Sequence, residues 1–261
     1  MTLDSLGSYV TGTTYDAAGR ITSRLLGSSG LKQAFAYTAW DTPNQGGRLD
    51  TIKAGTAPNY DNLQNLDYGY DGVGNILTIL DAANSSQKQC FTYDALNRLT
   101  RGTTTNDNEI GKQCGSAQLG NGNYDQSTTY DTATGNLASK AGVSYGYNDT
   151  NHDHAVTHLG GVQKYWYDAN GNQVTRIVGS DTYDLAYDAE NRLVEVKKNN
   201  ITIATFVYDG DGNRVRSSVN GVTAAFVGNH TEWDVATSSL TRYYYAGSTR
   251  VAMRKNNTAV S

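Results

Sequence analysis

The sequence predicts an all-β protein built as an array of β-hairpins. The first observation is a Tyr-Asp motif that recurs along most of the chain, and the second is a composition of 28 Gly and 19 Tyr but only 2 Pro in 261 residues. Tyr, Thr, Val and Ile suit a pleated, half-buried strand, whereas Gly, Asn and Asp suit turns. The third observation is alternation, as in Phe206 and Tyr208 with Val207 between them. Such alternation is typical of strands with two different faces.

The motif consists of Tyr-Asp, two variable residues, Gly or Asn, and then Arg or Asn. The intervals between the tyrosines Tyr147, Tyr167, Tyr187 and Tyr208 are 20, 20 and 21 residues, which is the length of one hairpin with its return. A lone hairpin is marginally stable in water, so each repeat must pack on its neighbours. Copies begin at Tyr15, Tyr70, Tyr93, Tyr167, Tyr187 and Tyr208, with a longer copy at Tyr130 and a degenerate one around 37–49.

Each residue type in the motif has a role in a tight turn. The aspartate accepts a hydrogen bond from the backbone two residues on, and the Gly or Asn position requires a positive φ. For this reason we predict that Asn191→Gly is nearly neutral and that Asn191→Val is costly. The predicted turn residues are Asp16, Gly19, Asp71, Gly74, Asp94, Asn97, Asp131, Gly135, Asp168, Gly171, Asp188, Asn191, Asp209 and Gly212.

The return strand opens with an apolar residue in most copies, such as Ile21 and Leu193, but with Gln173 and Arg214 in two of them. We expect those two hairpins to present their second strand with the other face inward. We also expect the stacked tyrosines to contact one another across strands, which would contribute about 0.2–1 kcal/mol for each contact.

The predicted domain organisation is one array over residues 1–261, with a less regular part at 1–69, regular repeats at 70–254 and a tail at 255–261. The Gly- and Asn-rich segment 103–123 is predicted to be a long surface loop. Cys90 and Cys114 either form a disulfide, worth about 3 kcal/mol on the chain-entropy model, or are two buried free thiols.

The charge pattern argues against two classes of partner. The formal net charge is -4, and Lys and Arg are not clustered, so we predict no nucleic-acid partner and no anionic-membrane surface. No stretch approaches the roughly 20 apolar residues that span a bilayer, and the first residues lack the features of a signal peptide.

Three patterns suggest chemistry and fail on closer inspection. The run from Asp209 to Asn213 resembles the start of an EF-hand loop, but Asn220 stands where the bidentate Glu is required. His152, His154 and His158 lie close in sequence, but without a nearby cysteine. The repeated aspartates share one turn context, whereas a catalytic carboxylate pair needs two different environments. We therefore predict no catalytic residue, metal or cofactor, and a protein that is not an enzyme.

Several stretches resemble the Rhs, or YD-repeat, proteins over about residues 15–254. Besides the repeat itself, they are Cys90-Phe91-Thr92-Tyr93-Asp94-Ala95-Leu96-Asn97-Arg98-Leu99, His154-Ala155-Val156-Thr157 and Tyr243-Tyr244-Tyr245-Ala246-Gly247. The resemblance implies a large protein whose repeats form a spiralling sheet around a hollow shell. In bacterial Rhs proteins and the similar B and C subunits of Tc toxins, the shell encloses a C-terminal toxin domain, and teneurins use a similar barrel in adhesion. The family's conserved core segment, with its autoproteolytic centre, and a toxin domain are not found in residues 1–261.

The resemblance favours a structural repeat protein, part of a bacterial shell that is secreted or lies at the cell surface and encapsulates a polypeptide toxin. It would be exported within a larger protein or assembly, with its own toxin domain or other shell segments as partners. One alternative is a carbohydrate-binding or adhesive module, since rows of Tyr with Trp40, Trp166 and Trp233 suit stacking on glycans. The other is a self-assembling extracellular fibre subunit, because open sheet edges pair with other chains.

Overall fold

The computed structural model describes residues 9–27, 30–43, 46–83, 87–105 and 124–256, together with the backbone of 258–260. Within these ranges the chain forms 24 β-strands joined by turns and has no helix. The strands form two large antiparallel sheets in which the order along the sheet is the order along the chain. The prediction of an all-β hairpin array is therefore confirmed. A helix long and apolar enough to cross a membrane is absent from the described residues.

The chain folds as two compact units, Met1–Gly142 and Val143–Ser261. The prediction of one continuous array concerns how these units join, and it stays a prediction. The strands of the N-terminal unit are β1 (Val10–Tyr15), β2 (Ile21–Leu26), β3 (Leu31–Tyr37), β4 (Leu49–Gly55), β5 (Gln64–Tyr70), β6 (Ile76–Asp81), β7 (Gln87–Tyr93), β8 (Leu99–Thr105), β9 (Asp125–Tyr130) and β10 (Leu137–Lys140).

The C-terminal unit begins with three short strands and continues with eleven strands in one sheet. Its strands are β11 (Val143–Gly146), β12 (His158–Leu159), β13 (Val162–Gln163), β14 (Tyr165–Tyr167), β15 (Gln173–Val178), β16 (Asp181–Tyr187), β17 (Leu193–Lys198), β18 (Ile201–Tyr208), β19 (Arg214–Val219), β20 (Val222–Val227), β21 (Thr231–Asp234), β22 (Ser239–Ala246), β23 (Thr249–Lys255) and β24 (Thr258–Val260).

The hairpins of the motif share one register. In the six copies of regular length the motif tyrosine pairs with the residue six positions later, as Tyr187 does with Leu193, and a bulge lies next to this pair. In the longer copies Tyr130 pairs with Leu137 and Tyr37 with Leu49. Tyr167 pairs with Gln173 and Tyr208 with Arg214 in the same way. The expectation that these two hairpins turn the other face inward is therefore wrong. The reason is that the turn fixes the register of a hairpin, whatever residue opens the return strand.

Tyr-Asp turns lie at the same end of the strands within each unit, because consecutive strands are antiparallel and the motif occupies alternate connections. We call these aligned turns the turn row. At the opposite end, the connections from β15 to β16, from β17 to β18 and from β19 to β20 have only two residues. The two central residues have positive φ at Asn199 and Asn200 (48° and 66°) and at Asn220 and Gly221 (50° and 82°), as in the type I′ turns that suit the twist of a hairpin.

Fully buried side chains are few. Among the described residues only Leu80, Cys90 and Ala204 are buried apolar side chains, and most strand residues are half-buried. Cys90 is disulfide-bonded, whereas Cys114, the other cysteine of the chain, lies outside the described residues.

The prediction of a surface loop at 103–123 fails at its first three residues. Residues 103–105 are threonines that belong to β8 and are buried, because their β-branched side chains suit a strand. The rest of that segment, 106–123, lies outside the described residues.

Candidate functional site

The aspartate of the motif closes each turn with its carboxylate, and Asp188 shows the arrangement. Its Oδ1 accepts hydrogen bonds from the backbone N–H of Glu190 and of Arg192, both at 2.9 Å, and its Oδ2 accepts one from Arg192 Nε at 2.8 Å. The backbone closes the same loop, because the Asp188 N–H donates to the Arg192 carbonyl and the Asn191 N–H donates to the Asp188 carbonyl, both at 3.0 Å. The carboxylate is thus committed to the turn.

The other copies repeat this arrangement. In each, Oδ1 of the aspartate accepts a hydrogen bond of 2.9–3.0 Å from the N–H two residues on, which belongs to Ala18, Val73, Leu96, Ala133, Asn170 and Asp211. The longer copy at Asp131 uses Thr134, whose N–H and hydroxyl both donate to the carboxylate. Hydrogen bonds to the charged form lower a carboxyl pKa. The pKa of Asp188 is accordingly held below its ordinary value, by the Arg192 N–H first and also by the Arg192 side chain.

The Gly or Asn position has a positive φ in all seven copies. This left-handed conformation is open to Gly without strain and is tolerated by Asn better than by other residues. The φ values are 78° at Gly19, 108° at Gly74, 59° at Asn97, 75° at Gly135, 83° at Gly171, 60° at Asn191 and 81° at Gly212.

The tyrosines link each hairpin to the one before it. Seven of the motif tyrosines donate their hydroxyl to the carbonyl oxygen of a residue in the preceding hairpin, in most cases the residue that opens the return strand. These bonds join Tyr37 to Ile21 (3.1 Å), Tyr70 to Leu49 (2.7 Å), Tyr93 to Ile76 (2.8 Å), Tyr130 to Leu99 (3.0 Å), Tyr167 to Val156 (2.8 Å), Tyr187 to Gln173 (3.1 Å) and Tyr208 to Leu193 (3.0 Å).

The last residue of the motif fills the space between successive tyrosines. The guanidinium carbon of Arg98 lies 4.3 Å from the ring centre of Tyr130, and that of Arg192 lies 5.1 Å from the ring centre of Tyr208. The stacked tyrosine pair Tyr68 and Tyr70 lies on one strand, β5, rather than across two strands. At Tyr130 and Tyr208 an arginine layer therefore takes the place of the expected cross-strand tyrosine contact, and it is favourable as a cation–π contact.

In two of the copies that end in Asn, the turn is joined to the next one through an amide instead. Asn75 Nδ2 donates to Asn97 Oδ1 at 2.9 Å, and Asn172 Nδ2 donates to Asn191 Oδ1 at 3.0 Å. The two asparagines in the positive-φ position therefore also accept hydrogen bonds from the preceding turn. The sequence alone did not indicate this second role.

The segment Tyr147-Asn148-Asp149-Thr150-Asn151-His152 stands at the 20-residue spacing of the motif, and it has histidine where other copies have arginine or asparagine. His152 Nδ1 lies 3.0 Å from Asp149 Oδ2, and its ring centre is 6.4 Å from that of Tyr167 in the next hairpin. The hydrogen bond that the ring donates to the Asp149 carboxylate raises the pKa of His152 above its ordinary value. One link of the turn row is therefore titratable near neutral pH.

The patterns weighed as chemical sites have other roles here. Asp209 closes its turn through the N–H groups of Asp211 and Asn213. Within the described ranges there is no group of three or more His, Cys, Asp or Glu side chains placed to hold a metal ion. Trp40 is 68% exposed, and the Arg20 guanidinium carbon lies 4.6 Å from its ring centre.

Comparisons with known proteins support the fold. The chain is similar to the crystal structures of TcdB2-TccC3-TEV and TcdB2-TccC3, each with a TM-score of 0.61 and 21% identity over 95% of this chain. TcdB2-TccC3-Cdc42 gives a TM-score of 0.57 and 20% identity over the same share. This chain spans only 13%, 13% and 12% of those chains. No protein-family model and no curated protein sequence matches it. The likeness shows a shared antiparallel hairpin architecture.

Proposed function

We propose that this chain is a wall segment of an Rhs-type shell that encloses a polypeptide, and that its role is structural rather than catalytic. The observation that carries the proposal is the row of tyrosine hydroxyl bonds, which joins most hairpins to the next one within each unit. Its aspartates, glycines and arginines are all occupied in building turns and in linking them. Such a sheet can extend without a conventional core, since every hairpin is held by its neighbours.

The solved neighbours add to this support. The names TcdB2 and TccC3 belong to Tc toxins, whose B and C subunits are the relatives that the sequence resemblance indicated. The shared fold extends over 95% of this chain, which includes nearly all of both units and supports the proposal of a wall segment. Because this chain spans only 12–13% of those solved chains, its length suits one segment of a shell wall.

The disulfide supports a place outside the cytoplasm. Cys90 is disulfide-bonded, and disulfides persist in oxidising compartments. We therefore extend the proposal to a secreted or cell-surface protein, with the enclosed polypeptide as its partner.

Protease protection of the natural full-length product that contains residues 1–261 tests this function. We expect a segment outside these residues to survive proteinase K in the native product and to be digested once urea has opened the wall. The same segment expressed alone is the control, and it should be digested at once. Digestion in the native product at the rate of the free segment would contradict enclosure.

A further inference from the structure

The tyrosine row of the C-terminal unit has a gap. In the connection between β17 and β18, the paired residues nearest the Tyr-Asp turns are Glu195 and Thr205. Leu193 lies two residues before Glu195, and Tyr208 lies three residues after Thr205. The hydroxyl of Tyr208 donates to the Leu193 carbonyl. Counting two residues back and three residues on from the equivalent pair identifies the bonded carbonyl and tyrosine in five further connections. They are β2 to β3, β4 to β5, β6 to β7, β8 to β9 and β15 to β16.

The connection between β19 and β20 follows the same pairing but lacks the tyrosine. Its paired residues nearest the turns are Arg216 and Ala225, so the equivalent carbonyl belongs to Arg214 and the equivalent tyrosine position is Gly228. Gly228 has a φ of 56°, and a Cβ added to it would meet no atom within 4 Å. Among the described residues, no tyrosine hydroxyl is bonded to the Arg214 carbonyl.

An open groove of about 400 Å³ lies at this position. Tyr208, Asn213 and Phe226 contribute to its walls, with Arg214 and Gly228 at the position of the missing side chain. Phe226 stands two residues before Gly228, as Phe206 does before Tyr208, and its side chain lines the groove. The Arg214 guanidinium carbon lies 4.7 Å from the ring centre of Phe226, which leaves a cation beside the groove.

We propose that this groove, at the gap left by Gly228 in the tyrosine row, binds a phenolic ring, the side chain of a tyrosine on a partner polypeptide. The protein's own filled sites define the ligand: a ring between two hairpins with its hydroxyl on a backbone carbonyl. The groove lies where the tyrosine of the next hairpin would bind, so a tyrosine of a partner polypeptide would complete the row. This inference does not depend on the shell function.

Binding of N-acetyltyrosinamide to the whole chain, followed by amide chemical shifts in NMR spectra, tests the site. We expect saturable shifts centred on Arg214, Phe226 and Gly228. N-acetylphenylalaninamide should bind about two- to tenfold more weakly, because it lacks the hydroxyl that donates to the carbonyl. Equal binding of the two compounds, or shifts centred elsewhere, would overturn the proposal. A response to methyl glycosides with none to the tyrosine compound would replace it with a sugar site.

A matched variant opens a second gap. Tyr187 follows a copy that ends in Asn172, just as Gly228 follows a copy that ends in Asn213. The Tyr187 hydroxyl donates to the Gln173 carbonyl. Tyr187→Ala should therefore bind two equivalents of N-acetyltyrosinamide where the parent chain binds one. If this variant does not fold, Phe226→Ala serves instead and should lose the parent site. An unchanged affinity in Phe226→Ala, or a single equivalent in folded Tyr187→Ala, would count against the proposal.

Discussion

Replacing Tyr93 by Phe removes a single hydroxyl from the tyrosine row and leaves the ring in place. That hydroxyl donates to the Ile76 carbonyl at 2.8 Å, and the tyrosine side chain is half-buried. A hydrogen bond of this kind contributes about 0.5–1.5 kcal/mol net. We expect Tyr93→Phe to lower the free energy of unfolding of the N-terminal unit by about 1 kcal/mol. Urea unfolding followed by circular dichroism would show this as a lower midpoint with an unchanged slope.

Tyr15→Phe is the matched control, because it makes the same change in the same unit. Tyr15 is 60% exposed, and its hydroxyl has no hydrogen-bond partner among the described residues. Its replacement should leave the midpoint unchanged within error. Equal losses in the two variants, or no loss in Tyr93→Phe, would show that the hydroxyl bonds do not hold the hairpins together.

The other predictions concern the turns and their titration. Asn191→Val should cost about 1–3 kcal/mol, since a β-branched residue is strained at a φ of 60°. Asn191→Gly should cost less than about 1 kcal/mol, as the amide bonds from Asn170 and Asn172 are lost while the backbone relaxes. Urea midpoints measure both losses. The turn aspartates have lowered pKa values, as at Asp188, so their stabilisation is complete above the ordinary pKa of 3.8 and is lost as the pH falls through the lower folded value. Unfolding scans below that pH should show this loss, and Asp188→Asn should make it smaller. His152 has a raised pKa, so its contribution is complete below 6.5 and is lost as the pH rises through the higher folded value. His152→Gln should remove this alkaline dependence from the C-terminal unit, which unfolding midpoints between neutral and alkaline pH would show.

Much of the turn chemistry could be read from one sequence, because the chain contains its own comparisons. The exchange of Gly171 for Asn191 at one motif position indicates a positive φ, and the fixed aspartate indicates a backbone acceptor. Both follow from local geometry within six residues. The all-β class follows from the same repetition.

Contacts between hairpins could not be read in the same way. The acceptor of a tyrosine hydroxyl lies 14 residues away for Tyr187 and 31 for Tyr130, so its identity depends on the register between hairpins. The arginine layers depend on that register too. The wrong prediction that the strand opening at Arg214 turns its other face inward has a related cause. The turn, and not the apolar pattern of the return strand, determines which face that strand presents.

Cryo-electron microscopy of the natural full-length product tests the central claim most directly. The account predicts that residues 1–261 form a stretch of continuous wall, with tyrosine hydroxyls within hydrogen-bond distance of the preceding hairpin's carbonyls and polypeptide density on the enclosed side. Hairpins that do not stack through these tyrosines, or a sheet that encloses nothing, would contradict it.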